Sequence, residues 1–198
     1  KLDSMAESRP SLAGNSRAKM AAAFENMDDN AIKKINVDEF NNPEVLAAAM
    51  DAGVFEQIKD GKGFSGSMKK LGDKFAGPGG DTLQAEFLNA SDAHAAKRDS
   101  IAGSSLSAAE RKDQNAVNDA ALKYHAAVAK DDVAGALKSG QFKLEDLDLA
   151  DLGTGFADEI AKVLNSGGGQ EAIPLKATFK ECVESLGEGE ASYVNNFT

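Results

Sequence analysis

Tryptophan is absent, cysteine occurs once, at Cys182, and only two histidines and four prolines are found in 198 residues. A single cysteine excludes an internal disulfide framework and any cysteine-based metal cluster. No run of about 18 apolar residues occurs, so no transmembrane helix is expected. Two β-branched residues never stand side by side, and strands are not indicated. Cationic charge is also short: 22 Lys and Arg stand against 32 Asp and Glu, a formal net charge of −10. Phosphate binding needs clustered cations, so nucleic acid is not an expected partner. The sequence opens on Lys1 rather than Met, so any targeting peptide would lie outside it.

What the chain has in plenty is alanine, 34 residues of it. Alanine is the best helix former because ordering its side chain costs no rotamer entropy. It buries little apolar area, however, and contributes far less to a core than Leu or Phe. The expectation is an all-α chain with a thin core of its own, completed by a ligand, a partner or close helix packing. An apoprotein of that kind would be loosely packed.

The length predicts one domain, or one domain with an appendage. Met20, Phe24 and Met27 place a first helix over about 17–34. Asn42 caps a helix with Pro43 at its first position; Leu46, Met50, Val54 and Ile58 step by four along it until Gly61. A glycine-rich connector over 61–80 holds a short helix from Met68 to Phe75. Asp81 or Thr82 would cap a long helix to about Ile101, with Leu83, Phe87, His94 and Ile101 on one face. Ser107 and Glu110 form a capping box for a helix to about Ala129, whose inner face reads Val117, Ala121, Tyr124 and Val128. Shorter helices follow, around Val133/Leu137, Leu144–Leu152, Phe156–Leu164 and after Pro174. Many modest helices joined by Gly, Asp and Asn turns predict an open, multi-helix all-α fold.

Most motif matches dissolve. Asp60-Gly61-Lys62-Gly63 resembles the centre of a calcium loop, but the aligned ligand positions fall on Ile58 and Ser67, which cannot serve. Gly77-Pro78-Gly79-Gly80 lacks the Lys-Ser/Thr ending of a phosphate loop. Cys182 sits on an apolar face with Phe179 and Leu186, where a free thiol behaves as a small hydrophobe. The paired carboxylates lie at helix ends or in acidic surface runs, and catalysis is not indicated. His125 falls off the apolar stripe of its helix. His94 is seven residues from both Phe87 and Ile101, with alanines at 93, 95 and 96. A histidine there is either a hydrogen-bonded core residue or an axial ligand to a large flat cofactor.

Around this histidine the sequence resembles a known family. Ala93-His94-Ala95-Ala96-Lys97-Arg98-Asp99-Ser100-Ile101 is similar to the Ala-His-His-Lys-Ala-Ile segment of the peridinin–chlorophyll proteins. Asn115-Ala116-Val117-Asn118-Asp119-Ala120-Ala121-Leu122 is similar to that family's Asn-Val-Asn-Ala-Ala-Leu on the next helix. Val37–Asn42, Ser67–Leu71 and Ala177–Val183 echo three further segments in the family's order. The chain departs from the pattern at Ala95, where the second histidine should be, and at Phe40, shifted by the inserted Glu39.

The resemblance covers one half of the duplicated family form. It implies an N-terminal extension with one helix over 1–35, a pigment-filled all-α shell over 36–186 and a tail over 187–198. It implies that His94 and Asn118 bind chlorophyll a, with the magnesium held through His94, and that Phe40, Phe87, Ile101, Val117 and Tyr124 line the pigment cavity. A peridinin-like carotenoid would share that cavity. The function implied is a non-enzymatic light-harvesting antenna, peripheral to the thylakoid membrane of a plastid on its lumenal side. Its partners would be photosystem or antenna membrane subunits, or a second copy imitating the duplicated form. Two alternatives stand beside it: a pigment-poor linker subunit of a photosystem–antenna assembly, and an unrelated helical binding module.

Overall fold

Three side-chain caps decide where the backbone turns into helix. Asn42 accepts from the Glu44 N–H at 2.9 Å, with Pro43 just inside the helix; Ser65 accepts from Met68 N–H; Ser107 and Glu110 exchange bonds in the capping box. Each satisfies a donor that a helix start leaves without a partner. In the computed structural model, residues 13–148 are described, and among them there are helices and turns but no strand. The helices are α1 Ala13–Glu25, α2 Asp29–Ile32, α3 Pro43–Asp51, α4 Val54–Asp60, α5 Gly66–Ala76, α6 Gly80–Ala102, α7 Ala108–Lys130 and α8 Val133–Lys138. One compact unit ends at Phe142; the 3₁₀ turn Leu144–Asp146 belongs to a second. Expectations beyond residue 148, including the helix after Pro174, Cys182 and the tail, lie outside the described residues. No described helix is long and apolar enough to cross a membrane.

Three boundaries differ from the sequence reading. The helix expected over 17–34 stops at Glu25, because Asp28 caps a new turn by accepting from Ala31 N–H at 2.8 Å. Asp offers the backbone such local bonds and so favours helix starts over interiors. The helix expected from Pro43 to Gly61 is broken at Gly53, whose φ of +67° only glycine adopts freely. Its period of four runs on through the break, and Leu46, Met50, Val54 and Ile58 are all buried. The cap expected at Asp81 or Thr82 is not used, since α6 begins directly after Gly79.

The core forms around α3. Val45, Leu46, Ala47, Ala48, Ala49 and Met50 are buried in succession, and α1, α4, α6 and α7 all pack against this helix. A helix buried all round can be enclosed so closely because its middle is alanine. Beside it runs a file of rings: Phe24–Phe40 at 6.5 Å between centroids, Phe40–Phe55 at 5.4 Å and Phe55–Phe75 at 4.8 Å. Among the described residues, the interior beside α3 is filled by the chain's own phenylalanines. Part of the stretch expected as an N-terminal extension contributes to this core. Met20 and Phe24 of α1 are among the most buried side chains, because they supply one end of that file.

On α7 the expected inner face is offset. Leu122, Ala126 and Ala129 join the main core, while Val117 and Val128 are only half-buried. Tyr124 is buried, as expected, with its ring edge-on to Phe142 at 5.9 Å.

Helices α4 and α5 touch at a glycine. A Cβ on Gly72 would stand 2.8 Å from Ile58 Cγ2 and 3.0 Å from the Lys59 backbone nitrogen. Lysines fasten the same contact: Lys59 Nζ donates to Ala76 O, and Lys69 Nζ donates to Lys59 O, so each helix has its last carbonyls capped by the other. Gly72→Val is expected to force the helices apart and lower stability by about 1–3 kcal/mol, read as a fall in the urea midpoint. An unchanged midpoint would show that the contact is loose.

Candidate functional site

Three polar residues in the second half of α6 share one stripe on its inner side: Ser91, His94 and Arg98, at i, i+3 and i+7. Each meets a different neighbour. The backbone carbonyl of His94 accepts from Asn118 Nδ2 at 3.0 Å, and its ring Nε2 lies 2.8 Å from Asp119 Oδ1. An ionised carboxylate only accepts, so Nε2 carries the proton and donates. Two consecutive residues of α7 thus grip one residue of α6. His94 is 8% exposed and Asn118 4%, so the Asn118 bond works in a low-dielectric setting, while Asp119, 43% exposed, holds its end of the second bond at the surface.

Below this lies an arginine brace. Arg17 of α1 forms a two-pronged pair with Asp51, Nε to Oδ2 at 2.6 Å and Nη2 to Oδ1 at 2.8 Å. Its Nη1 donates to Asp92 Oδ1 at 2.7 Å and to Ser91 Oγ at 3.2 Å. Asp51 closes α3, where its charge opposes the helix dipole; a guanidinium placed there reverses the penalty. The Asp51 bond raises the Arg17 pKa, against the opposing pull of burial. One side chain therefore ties α1 to α3 and α6.

A third contact joins α3 and α6. Glu44 Oε1 is 4.0 Å from Arg98 Nη1, while Glu44 Oε2 and Arg98 Nε are buried without a hydrogen-bond partner. Burial pushes the Glu44 carboxyl above its ordinary range; Arg98 and His94 pull it down and Asp119 adds to the rise. The fold thus favours the neutral carboxyl. Stability from this group is fully present below the ordinary carboxylate range and is lost as pH rises through the raised pKa. Glu44→Gln is expected to gain on the parent as pH climbs from 4 to 7, in denaturation midpoints measured at each pH. A gain that shrinks with rising pH would contradict the burial argument.

Between these contacts is a groove of about 200 Å³, lined by Arg17, Ala18, Glu44, Asp51, Ser91, Asp92, His94, Ala95 and Leu122. The expected cavity residues are elsewhere. Phe40 and Phe87 belong to the apolar core, Ile101 and Tyr124 are buried, Val117 is half-buried, and none of the five lines the groove. The structure brings together His94 and Asn118, as expected, but as helix-to-helix bonds. Asp119, Arg17, Glu44, Asp51 and Arg98 were not singled out from sequence. The clue available was local: three polar residues in register on a stripe shared with Phe87 and Ile101.

A chlorophyll fits His94 poorly. The Nε2–H bond to Asp119 leaves the Nδ1 lone pair uncommitted by that contact, but the groove is smaller than the roughly 300–1,000 Å³ of ordinary ligand pockets. Arg17, Asp51 and Asp92 line it with ionic groups and Glu44 adds a buried carboxyl, whereas a macrocycle face needs an apolar wall. Among the described residues, no group of three or more His, Cys, Asp or Glu is arranged to hold a metal ion. No family model, curated protein or solved structure matches the chain.

His94→Leu is expected to remove the bond to Asp119, whose half-exposed carboxylate then turns to water, and to cost about 0.5–1.5 kcal/mol, with helical content retained. His125, half-exposed and beside the Tyr124 ring at 5.5 Å, is expected to tolerate the same change within about 0.5 kcal/mol. Equal losses at both positions, read by chemical denaturation and circular dichroism, would remove the special status of His94.

Proposed function

We propose that the chain is a non-enzymatic helical scaffold: a pigment-poor linker subunit, peripheral to the thylakoid membrane of a plastid and held between antenna and photosystem subunits. The observation that carries this reading is the His94–Asp119–Asn118 junction, which turns the histidine that resembles a pigment ligand into a strut between two helices. The Arg17 brace has the same character, since all three of its guanidinium nitrogens donate to neighbouring helices. Ser91 Oγ accepts from Arg17 and the His94 ring donates to Asp119, an arrangement that fixes positions rather than activating a nucleophile. The photosynthetic setting rests on the resemblance to one half of the peridinin–chlorophyll proteins.

The antenna reading rests on the same five-segment resemblance, and the two separate cleanly. Tagged protein incubated with detergent-solubilised thylakoid membranes is expected to retain a photosystem or antenna subunit, identified by mass spectrometry. The chain released from that complex is expected to be colourless. Retention of no membrane subunit would defeat the linker reading; chlorophyll and carotenoid leaving with the chain itself would favour the antenna.

A further inference from the structure

Three helices each bring an unspent polar atom to one junction. Arg98 Nε of α6 and Glu44 Oε2 of α3 are buried without a hydrogen-bond partner, and so is Asn115 Oδ1 of α7. Among the described residues, the only other side-chain atom in that position is Ser16 Oγ, on α1. Glu44, Arg98 and Asn115 are half-buried residues; it is these particular atoms that are closed off from solvent. A buried polar atom left alone is costly, and folded proteins almost always supply it with a partner.

Helical register places the three together. Helices α6 and α7 are joined by the turn over 103–107 and pack side by side, and the Asn118 Nδ2 bond to His94 O fixes their alignment. One turn nearer to that connection stand Arg98, four residues after His94, and Asn115, three before Asn118, on the same two faces. Glu44 reaches the same point from across, with its Oε1 4.0 Å from Arg98 Nη1. That separation is too long for a direct hydrogen bond.

We propose that one water molecule is held between Arg98 Nε, Glu44 Oε2 and Asn115 Oδ1, and that it pins α3 to the α6–α7 pair. The balance of donors and acceptors decides the occupant. Arg98 Nε offers one N–H, and the Asn115 carbonyl oxygen accepts. Glu44 Oε2 accepts too, whether the carboxyl proton sits on Oε1 or has left. A water oxygen that accepts once and donates twice matches all three, and interior waters make about three such bonds to groups the fold leaves unpaired. A metal or ammonium cation cannot accept from Arg98, and an anion would face two oxygens. The water supplies the link that Glu44 and Arg98 do not make directly. Its place is distinct from the groove, whose lining includes neither Arg98 nor Asn115. This inference goes beyond the scaffold reading and does not depend on it, since its test involves no pigment and no membrane subunit.

The test is a crystal structure of the full chain, at a resolution that shows ordered water, together with water–protein cross-relaxation in solution. The expected density is a single water within about 3.2 Å of all three atoms. In solution, the Arg98 Nε–H is expected to show a rotating-frame cross-peak to water with the sign of a bound molecule, opposite to that of proton exchange. The Arg17 Nε–H, which donates to Asp51, is the internal reference and is expected to show none. Asn115→Leu is expected to lose the Arg98 cross-peak. Because an apolar group there can disturb folding, Asn115→Asp, which keeps the acceptor, is the second variant and is expected to retain it. Direct bonds among the three side chains, an ion in the density, no Arg98 cross-peak in the parent chain, or a cross-peak unchanged in Asn115→Leu would each overturn the proposal.

Discussion

Phe55→Ala is expected to be the most damaging single truncation in the described part of the chain, costing about 3–5 kcal/mol. Phe55 is fully buried and touches rings on both sides, Phe40 at 5.4 Å and Phe75 at 4.8 Å. Removing it opens a cavity between α4, α5 and the turn carrying Phe40, where rigid helices can collapse only in part. Aromatic contacts worth about 0.5–1.5 kcal/mol each, beyond burial, go with it. Against a total stability of about 5–15 kcal/mol for an ordinary domain, that is a large share. The check is guanidinium denaturation of the purified chain, followed by circular dichroism. A loss under about 1 kcal/mol would mean that the phenylalanine file is not the source of stability.

Ala48→Leu tests the opposite feature, the closeness of the helices around α3. Ala47, Ala48 and Ala49 are fully buried, and four helices pack against this one. Three added carbons have nowhere to go without moving a backbone, and overpacking of that kind costs about 1–3 kcal/mol, occasionally more. The same change at Ala93, on the exposed side of α6, is expected to be nearly silent. Thermal melts of both variants decide it. A stabilised Ala48→Leu protein would show that an unfilled space lies beside α3, as a pigment shell requires.

The helical class and several boundaries were legible because they depend on local chemistry. Asn42-Pro43 and Ser107/Glu110 announce helix starts through bonds within four residues, and both caps form. The break at Gly53 was hidden because the apolar period of four continues across it. Composition misled on the core: the many alanines read as thin filling, yet at α3 they are what lets four neighbours close in. Four widely separated phenylalanines could not be assembled into a file from sequence, since their contacts depend on tertiary placement.

The candidate site divides in the same way. His94 stood out as a polar residue on an apolar stripe, and Asn118 followed from the resemblance; the two do meet. Their partners could not be read. Arg17 is separated by 34 residues from Asp51 and by 75 from Asp92, and periodicity carries no information about such pairs. Asp119 escaped notice because it lies beside the buried Asn118 and is itself half-exposed, so its helical position reads as surface.

The central claim is that His94 is a strut between α6 and α7 and that the protein folds without pigment. The most direct test is to refold the chain with and without chlorophyll a and peridinin, remove free pigment by gel filtration, and record absorption and a thermal melt. The expected result is a colourless protein whose single cooperative melt is the same in both preparations, and lower in His94→Leu. A stoichiometric red chlorophyll band that raises the melting temperature, and that His94→Leu abolishes, would contradict the account.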